Sequence, residues 1–304
     1  MRFHQLTMFL AMAEHGSIRG AARALGITQP AVTKAIRMLE LEVGLPLVQR
    51  NVNGVVLTLH GEALIKHAQI LRNQMFHADE AMRARREGGG GVVRIAVSAS
   101  AAITLLPAVL TRFQAILPRS RVTVLEASVK NTIDGLSDGS LDFAVLPMGD
   151  DQLPQHIQLQ PLFDICQCVV ASAGHPLKDA RSLAELRECT WVTPQYPGWG
   201  SGSSVPWFWP ATIAPPTTVV ECGSLAIAQS LLRSLDCMTI LPEPTLNECR
   251  HSTGIVEVPV QESMPHLSMA ILVNSERAST ETAASLMTCF VASSEMYMEQ
   301  REVR

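Results

Sequence analysis

The sequence predicts an α/β chain built as a mainly α-helical head, one long linker helix and an α/β body. Three observations predict it. Four consecutive glycines, Gly88 to Gly91, divide the chain, and such a run has a large entropic cost inside any helix or strand. Before them apolar residues recur at helical spacing almost throughout. After them β-rich runs alternate with helical stretches, the order expected of an α/β domain with a parallel core. A chain of 304 residues has room for two domains. At 47% hydrophobic and 17% charged residues it is not a disordered chain.

The head comes first. Phe3, Leu6, Phe9, Leu10 and Ala13 share one helical face. Gly16-Ser17 breaks that helix, and Ser17 can cap a short second one carrying Arg19, Ala21, Ala22 and Leu25. Gly26-Ile27 makes a turn, Thr28 is placed to cap a third helix, and Pro30 falls in its first turn, where a missing N–H costs nothing. In that helix Val32, Ile36, Leu39 and Val43 form a narrow apolar face, within roughly 40° of arc. Gln29, Pro30, Thr33, Lys34 and Arg37 gather elsewhere on it. Amide, hydroxyl and cationic groups near a helix start are what reaching base edges and phosphates requires. An ordinary solvated polar face would look similar, but two short helices and a tight turn immediately upstream favour a helix-turn-helix. Asn53-Gly54, between the extended arms Arg50–Val52 and Val55–Thr58, then predicts a basic hairpin, a wing in which Arg50 and Asn53 would meet DNA.

Residues 59–87 read as a linker helix roughly 40 Å long. Leu64, Ala68, Leu71, Met75, Ala78 and Met82 follow one another at spacings of 4, 3, 4, 3 and 4, a heptad seam that predicts dimerisation. The head itself could cover only the first turns of it.

Beyond the glycines, Val92–Val97 reads as a buried strand, Leu105–Leu117 as a helix, Val122–Glu126 as a strand, Asn131–Asp138 as a short helix and Phe143–Leu146 as another strand. Ser98 to Ala101 follows a strand and opens a helix, so its hydroxyls and free N–H groups would suit an anion. Trp199, Trp207 and Trp209 lie close together beside Phe208. They read more readily as a hydrophobic cluster under a loop, or a subunit contact, than as an aromatic wall for a planar ligand.

Charge divides as the domains do. Residues 1–87 hold 11 Lys/Arg against 7 Asp/Glu, and residues 88–304 hold 13 against 21. A basic head on an acidic body suits a polyanion at the head only. The seven cysteines all lie beyond residue 160 and form no Cys-x-x-Cys pair, which reads as reduced thiols. Cys166-x-Cys168 would put two thiols on one strand face, a weak metal signal. A redox-sensing pair remains the main competitor to a ligand-binding body. No apolar run approaches the ~18 residues of a membrane helix and no signal peptide is read, so a cytoplasmic chain without a membrane partner is expected. No nucleophile elbow, Walker loop, His-Glu-x-x-His or dinucleotide fingerprint occurs, and neither an enzyme nor a cofactor is expected.

Residues 1–66 resemble the N-terminal domain of LysR-type transcriptional regulators. The residues that carry the resemblance are Phe9, Gly16-Ser17, Ala21-Ala22, Leu25, Thr28-Gln29-Pro30-Ala31-Val32, Ile36, Leu39-Glu40, Gly44, Pro46-Leu47, Arg50, Leu57-Thr58, Gly61 and Glu62. Thr33 replaces the common Ser, and Val48 stands where the family usually has an aromatic residue. The resemblance implies a winged helix-turn-helix at 1–58, with Ser17, Arg19, Thr28, Ala31 and Thr58 joining the DNA-contact set. It continues at lower specificity through Val93-Arg94-Ile95, Leu105-Leu106-Pro107, Phe113, Leu136, Gly139, Leu141-Asp142, His175-Pro176-Leu177 and Ile240-Leu241-Pro242. This implies a two-lobed α/β effector domain at 92–304, similar to periplasmic solute-binding proteins, with lobe I at about 92–163 and 266–304 and lobe II at about 164–265. Ser98, Ser100, Ala101, Ser128, Val129, Pro147, Met148, Thr193, Tyr196, Ser201, Gly223 and Ser224 would line its cleft. The implied partners are double-stranded promoter DNA read as a pseudo-palindrome, a small and anionic organic inducer, further copies of the chain in a homodimer or homotetramer, and RNA polymerase.

Overall fold

The computed structural model describes residues 1–51, 54–86, 90–127, 129–149, 153–194, 206 and 208–302. One compact unit comprises Met1–Arg83 with Asp138–Ser140, and the other comprises Ala84–Ser137 with Leu141–Arg304. In the head, α1 (Phe3–His15), α2 (Ile18–Leu25) and α3 (Gln29–Val43) pack on one another around Phe9, Leu10, Met12, Ala21, Val32 and Leu39, all fully buried. Gly16 and Gly26 end α1 and α2 in the left-handed region, at φ 61° and 66°. Strands β1 (Val48–Asn51) and β2 (Gly54–Leu57) pair antiparallel with Asn51 opposite Gly54. Val48 is half-buried against the head core, so an aliphatic residue serves where the family tends to place an aromatic one.

The long helix α4 runs from Leu59 to Arg86. Thr58 caps it, accepting a hydrogen bond from Gly61 N at 3.1 Å and donating to the Pro46 carbonyl at 2.7 Å. Its first turns belong to the head: Ala68 is buried and Leu64 half-buried in the head core. Leu71, Met75, Ala78 and Met82 stay exposed, with Met82 at 57%. The heptad stripe therefore divides between the chain's own head and a free face.

The body contains two five-stranded sheets. The first lobe comprises β3 (Val92–Val97), α5 (Ala99–Thr104), α6 (Leu106–Ile116), β4 (Arg121–Glu126), α7 (Val129–Asp138), β5 (Phe143–Met148) and β6 (Ile157–Ile165). The second lobe comprises β7 (Gln167–Ser172), β8 (Thr190–Pro194), β9 (Thr218–Cys222), α8 (Leu225–Ser234), β10 (Cys237–Pro242), α9 (Glu243–Thr253) and β11 (Ile255–Glu257). The chain then returns to the first lobe with β12 (Leu267–Asn274) and α10 (Glu281–Glu302). The sheet orders are β4-β3-β5-β12-β6 and β11-β7-β10-β8-β9.

The expected parallel core is present as β4-β3-β5 and β9-β8-β10, with antiparallel strands added beside each set. Strands β4, β3 and β5 are parallel, but β12 and β6 add antiparallel, as do β7 and β11 in the second sheet. Only β12 and β7 run against the βαβ strands of their sheets; β6 and β11, antiparallel to β12 and β7, run with those strands again. Both faces of the first sheet are covered. Val93, Ile95, Val97, Phe143 and Val145 pack toward α5, α6 and α10, while Ala96, Ala144 and Leu146 pack on the other face. That is why Phe143–Met148 is apolar without alternation.

Trp191, fully buried, packs at a tilt against Phe208 and edge-to-face against Trp209, at centroid distances of 5.4 and 5.1 Å, in the second lobe's core. Two members of the aromatic cluster are thus core residues. Trp199 and Trp207 lie outside the described residues. Cys166 falls between β6 and β7 and is exposed, whereas Cys168 is buried, so the two thiols do not share one strand.

Candidate nucleic-acid interface and ligand cleft

Helix α3 divides cleanly into two faces. Val32, Ile36 and Leu39 are at most 4% exposed, while Gln29, Pro30, Thr33, Lys34 and Arg37 are exposed and line one shallow open hollow. Among the described residues, neither Lys34 nor Arg37 is held in an ion pair, and their charges face outward. Thr28 occupies the N-cap position at φ −82°, ψ 148°, but its hydroxyl makes no capping bond. Ala31 N instead donates to the Thr28 carbonyl at 3.1 Å, and Pro30 has no N–H to satisfy, so the Thr28 hydroxyl is left exposed. Ala31 is half-buried beside it.

Ser17 does cap, accepting from Gly20 N at 3.0 Å, and Arg19 is exposed in the following turn. Thr58 is committed to its own capping bonds. The wing is anchored at its base: Val55 N donates to the Gly16 carbonyl at 3.1 Å, and Leu47 N and Val48 N donate to Glu40 Oε1 at 2.8 and 3.2 Å. Arg50 sits in β1 with its side chain outside the described residues, and Asn53 lies outside them altogether.

The body opens a cleft between its lobes, enclosing about 700 Å³ including the part open to solvent. Ser98, Ala99, Ser100, Glu126 and Ala127 line it from the first lobe. Cys222, Gly223, Ser224 and Leu225 face them from the second, with Thr239 and Thr245 deeper in. Ser98 caps α5, its Oγ accepting from Ala101 N at 3.2 Å and sharing a 3.0 Å hydrogen bond with Ser100 Oγ. Ser224 stands at the N-cap of α8 without capping it, so its hydroxyl has no such commitment. Two helix starts therefore open on one cavity, each leaving first-turn N–H groups without an intrahelical acceptor.

The predicted cleft residues fall into three groups. Ser98, Ser100, Gly223 and Ser224 are on the cavity wall. Ala101, Met148, Pro147 and Thr193 are buried and none of them is on that wall; Ala101 and Met148 pack into the cores on the two faces of the first sheet. Ser128, Tyr196 and Ser201, and the side chain of Val129, lie outside the described residues. Glu126, Cys222 and Thr245 were not anticipated. The repeated strand-to-helix pattern at Pro242 was the signal that could have found Thr245.

The described cysteines are free thiols. Burial pushes Cys168 up to about 12, with Glu257 adding to the shift, and burial also raises Cys189, Cys222, Cys237 and Cys289. Such thiols carry little thiolate, which disfavours redox sensing through them. Among the described residues no group of three or more His, Cys, Asp or Glu could hold a metal, and no helix is long and apolar enough to cross a membrane.

A head that buries one side of its third helix and offers the other, in a chain whose body opens a cleft between two lobes, is built as a DNA-binding regulator that responds to a small molecule. Comparison with known proteins agrees. The pattern described as "Bacterial regulatory helix-turn-helix protein, lysR family" matches residues 3–62, and "LysR substrate binding domain" matches residues 86–294. The chain belongs to the LysR family of transcriptional regulators, which are not enzymes. It is 26% identical over 260 residues to the HTH-type transcriptional regulator TdcA of Escherichia coli (strain K12), covering 86% of this chain and 83% of that one. The fold is shared with CbnR, a LysR family transcriptional regulator, at TM-score 0.71 and 21% identity over 97% of this chain and 99% of that one. Full-length CbnR complexed with its target DNA aligns at TM-score 0.68 and 20% identity over 98% of this chain and 100% of that one.

Proposed function

We propose that the chain acts in the cytoplasm as an oligomer on a pseudo-palindromic promoter site, and that a small organic molecule with an anionic group, bound between the lobes, changes its output. The observation that carries the DNA half is the division of α3, with its apolar side sealed in the head core and Gln29, Thr33, Lys34 and Arg37 turned outward together. In this reading α3 enters the major groove. Its amide and guanidinium groups read base edges, while Ser17, Arg19, Thr28 and Thr58 lie toward the phosphates and Arg50 and Asn53 act from the wing. The exposed Leu71, Met75, Ala78 and Met82 stripe pairs two copies, so two heads meet two half-sites. Pairs then associate as a homotetramer, as the family resemblance implies, and RNA polymerase is the partner on which a promoter-bound regulator acts.

The ligand half rests on the two helix starts, together with the Ser100 and Ser224 hydroxyls, facing one cavity. A ligand that fits one interlobe arrangement better than another shifts the population toward it. The test is capture of genomic DNA fragments by the full-length protein, followed by sequencing. Enrichment of a motif with dyad symmetry is expected. Recovery of fragments without a shared dyad motif would contradict the reading.

A further inference from the structure

We infer that the cleft takes a zwitterion, a small ligand carrying a protonated amine as well as a carboxylate, and that Glu126 is the residue that reads the amine. This rests on the ligand reading above and narrows it. Glu126 is the only charged residue among the described residues lining the cavity. It ends β4, is exposed, and stands on the first lobe beside Ser98 and Ser100. The start of α8 and the Ser100 and Ser224 hydroxyls suit a carboxylate, yet a ligand bearing only a carboxylate would meet Glu126 and no cation on the described wall. Like charges in a partly dry cleft repel more strongly than they do in water. A ligand with both groups removes the conflict: its carboxylate lies against the N–H groups and hydroxyls, and its ammonium against Glu126.

A second, independent observation points to a polar occupant. Thr245 is 1% exposed, its hydroxyl has no hydrogen-bond partner among the described residues, and it lines the same cavity. A buried hydroxyl left unpaired is costly, and a bound polar group would satisfy it. Thr245 lies in α9 of the second lobe and Glu126 in the first. One ligand touching both would therefore draw the lobes together, which links its recognition to a change of interlobe arrangement.

The experiment uses the full-length protein and three matched panels: the proteinogenic amino acids, their deaminated carboxylates and their decarboxylated amines. Thermal shift finds binders and titration calorimetry ranks them. At least one amino acid should bind, at least about tenfold more tightly than either of its matched analogues. Glu126→Gln should weaken that amino acid at least about tenfold and leave its deaminated carboxylate unweakened. Two results would overturn the inference while leaving the anionic cleft reading intact: a deaminated carboxylate that binds as well as its amino acid, or a Glu126→Gln variant that binds the amino acid as wild type does. An amine that binds as well as its amino acid overturns the inference and removes the carboxylate seat as well. If no compound of the three panels binds, or if Ser98→Ala and Ser100→Val leave binding unchanged, the cleft reading fails and the inference fails with it.

Discussion

Gly61 shows how a single residue sets the join between wing and linker helix. A Cβ built there would lie 2.1 Å from the Leu47 carbonyl oxygen and 3.1 Å from its carbon, so a side chain forces backbone to move. Gly61→Ala should destabilise the head by about 1–3 kcal/mol in chemical denaturation. Gly174→Ala meets nothing within 4 Å and should change stability by no more than about 0.5 kcal/mol. Equal effects would mean that the close packing at Gly61 is absent. The cysteines allow a second test at this scale. With its thiol pushed up to about 12 by burial, Cys168 should resist iodoacetamide in the native protein at pH 8 and react in urea, as peptide mass spectrometry would show. Rapid native labelling would reopen a redox role. Much at this scale was legible from pattern: Ser17 caps as expected because the residues after it supply a free N–H. Thr28 was misjudged, since Pro30 and the Ala31 N–H to Thr28 carbonyl bond leave its hydroxyl nothing to cap.

At the scale of elements, the linker helix carries the sharpest prediction. That it is helical through its middle was readable because a heptad seam persists from Leu64 to Met82. What the seam packs against was not, since the same spacing serves two partners. Leu64 and Ala68 go to the head core, and only the later positions stay free. Leu71→Asp would place a charge in the proposed dry seam. Sedimentation should then show dissociated protein, with a matching loss of operator affinity while the head remains folded. An intact oligomer would refute the seam. Sheet pairing shows the opposite limit. Each strand of the first lobe is recognisable from its apolar run, but β12 comes from residues 267–274 and pairs with β5 and β6. Local sequence contains nothing that fixes such a distant, antiparallel partner.

In the molecule as a whole, the separation of function between head and body was legible from the glycine run and the charge asymmetry. The cleft was legible only in part. Ser98 and Ser224 sit at strand-to-helix junctions, which a sequence displays. Glu126 and Thr245 reach the same cavity only because two lobes, interleaved along the chain, close around it. Their membership is a property of tertiary folding, which periodicity does not encode. In the head, by contrast, α1 to α3 follow one another directly in sequence, so the buried and exposed faces of α3 could be drawn from spacing alone. The direct measurement is the affinity of the full-length protein for a dyad site recovered from genomic capture, by fluorescence anisotropy, beside Gln29→Ala and Arg37→Ala. The account predicts that each variant loses roughly 5- to 150-fold in affinity, corresponding to about 1–3 kcal/mol for a bidentate base contact, with an unchanged melting temperature. Wild-type affinity in both variants would contradict it.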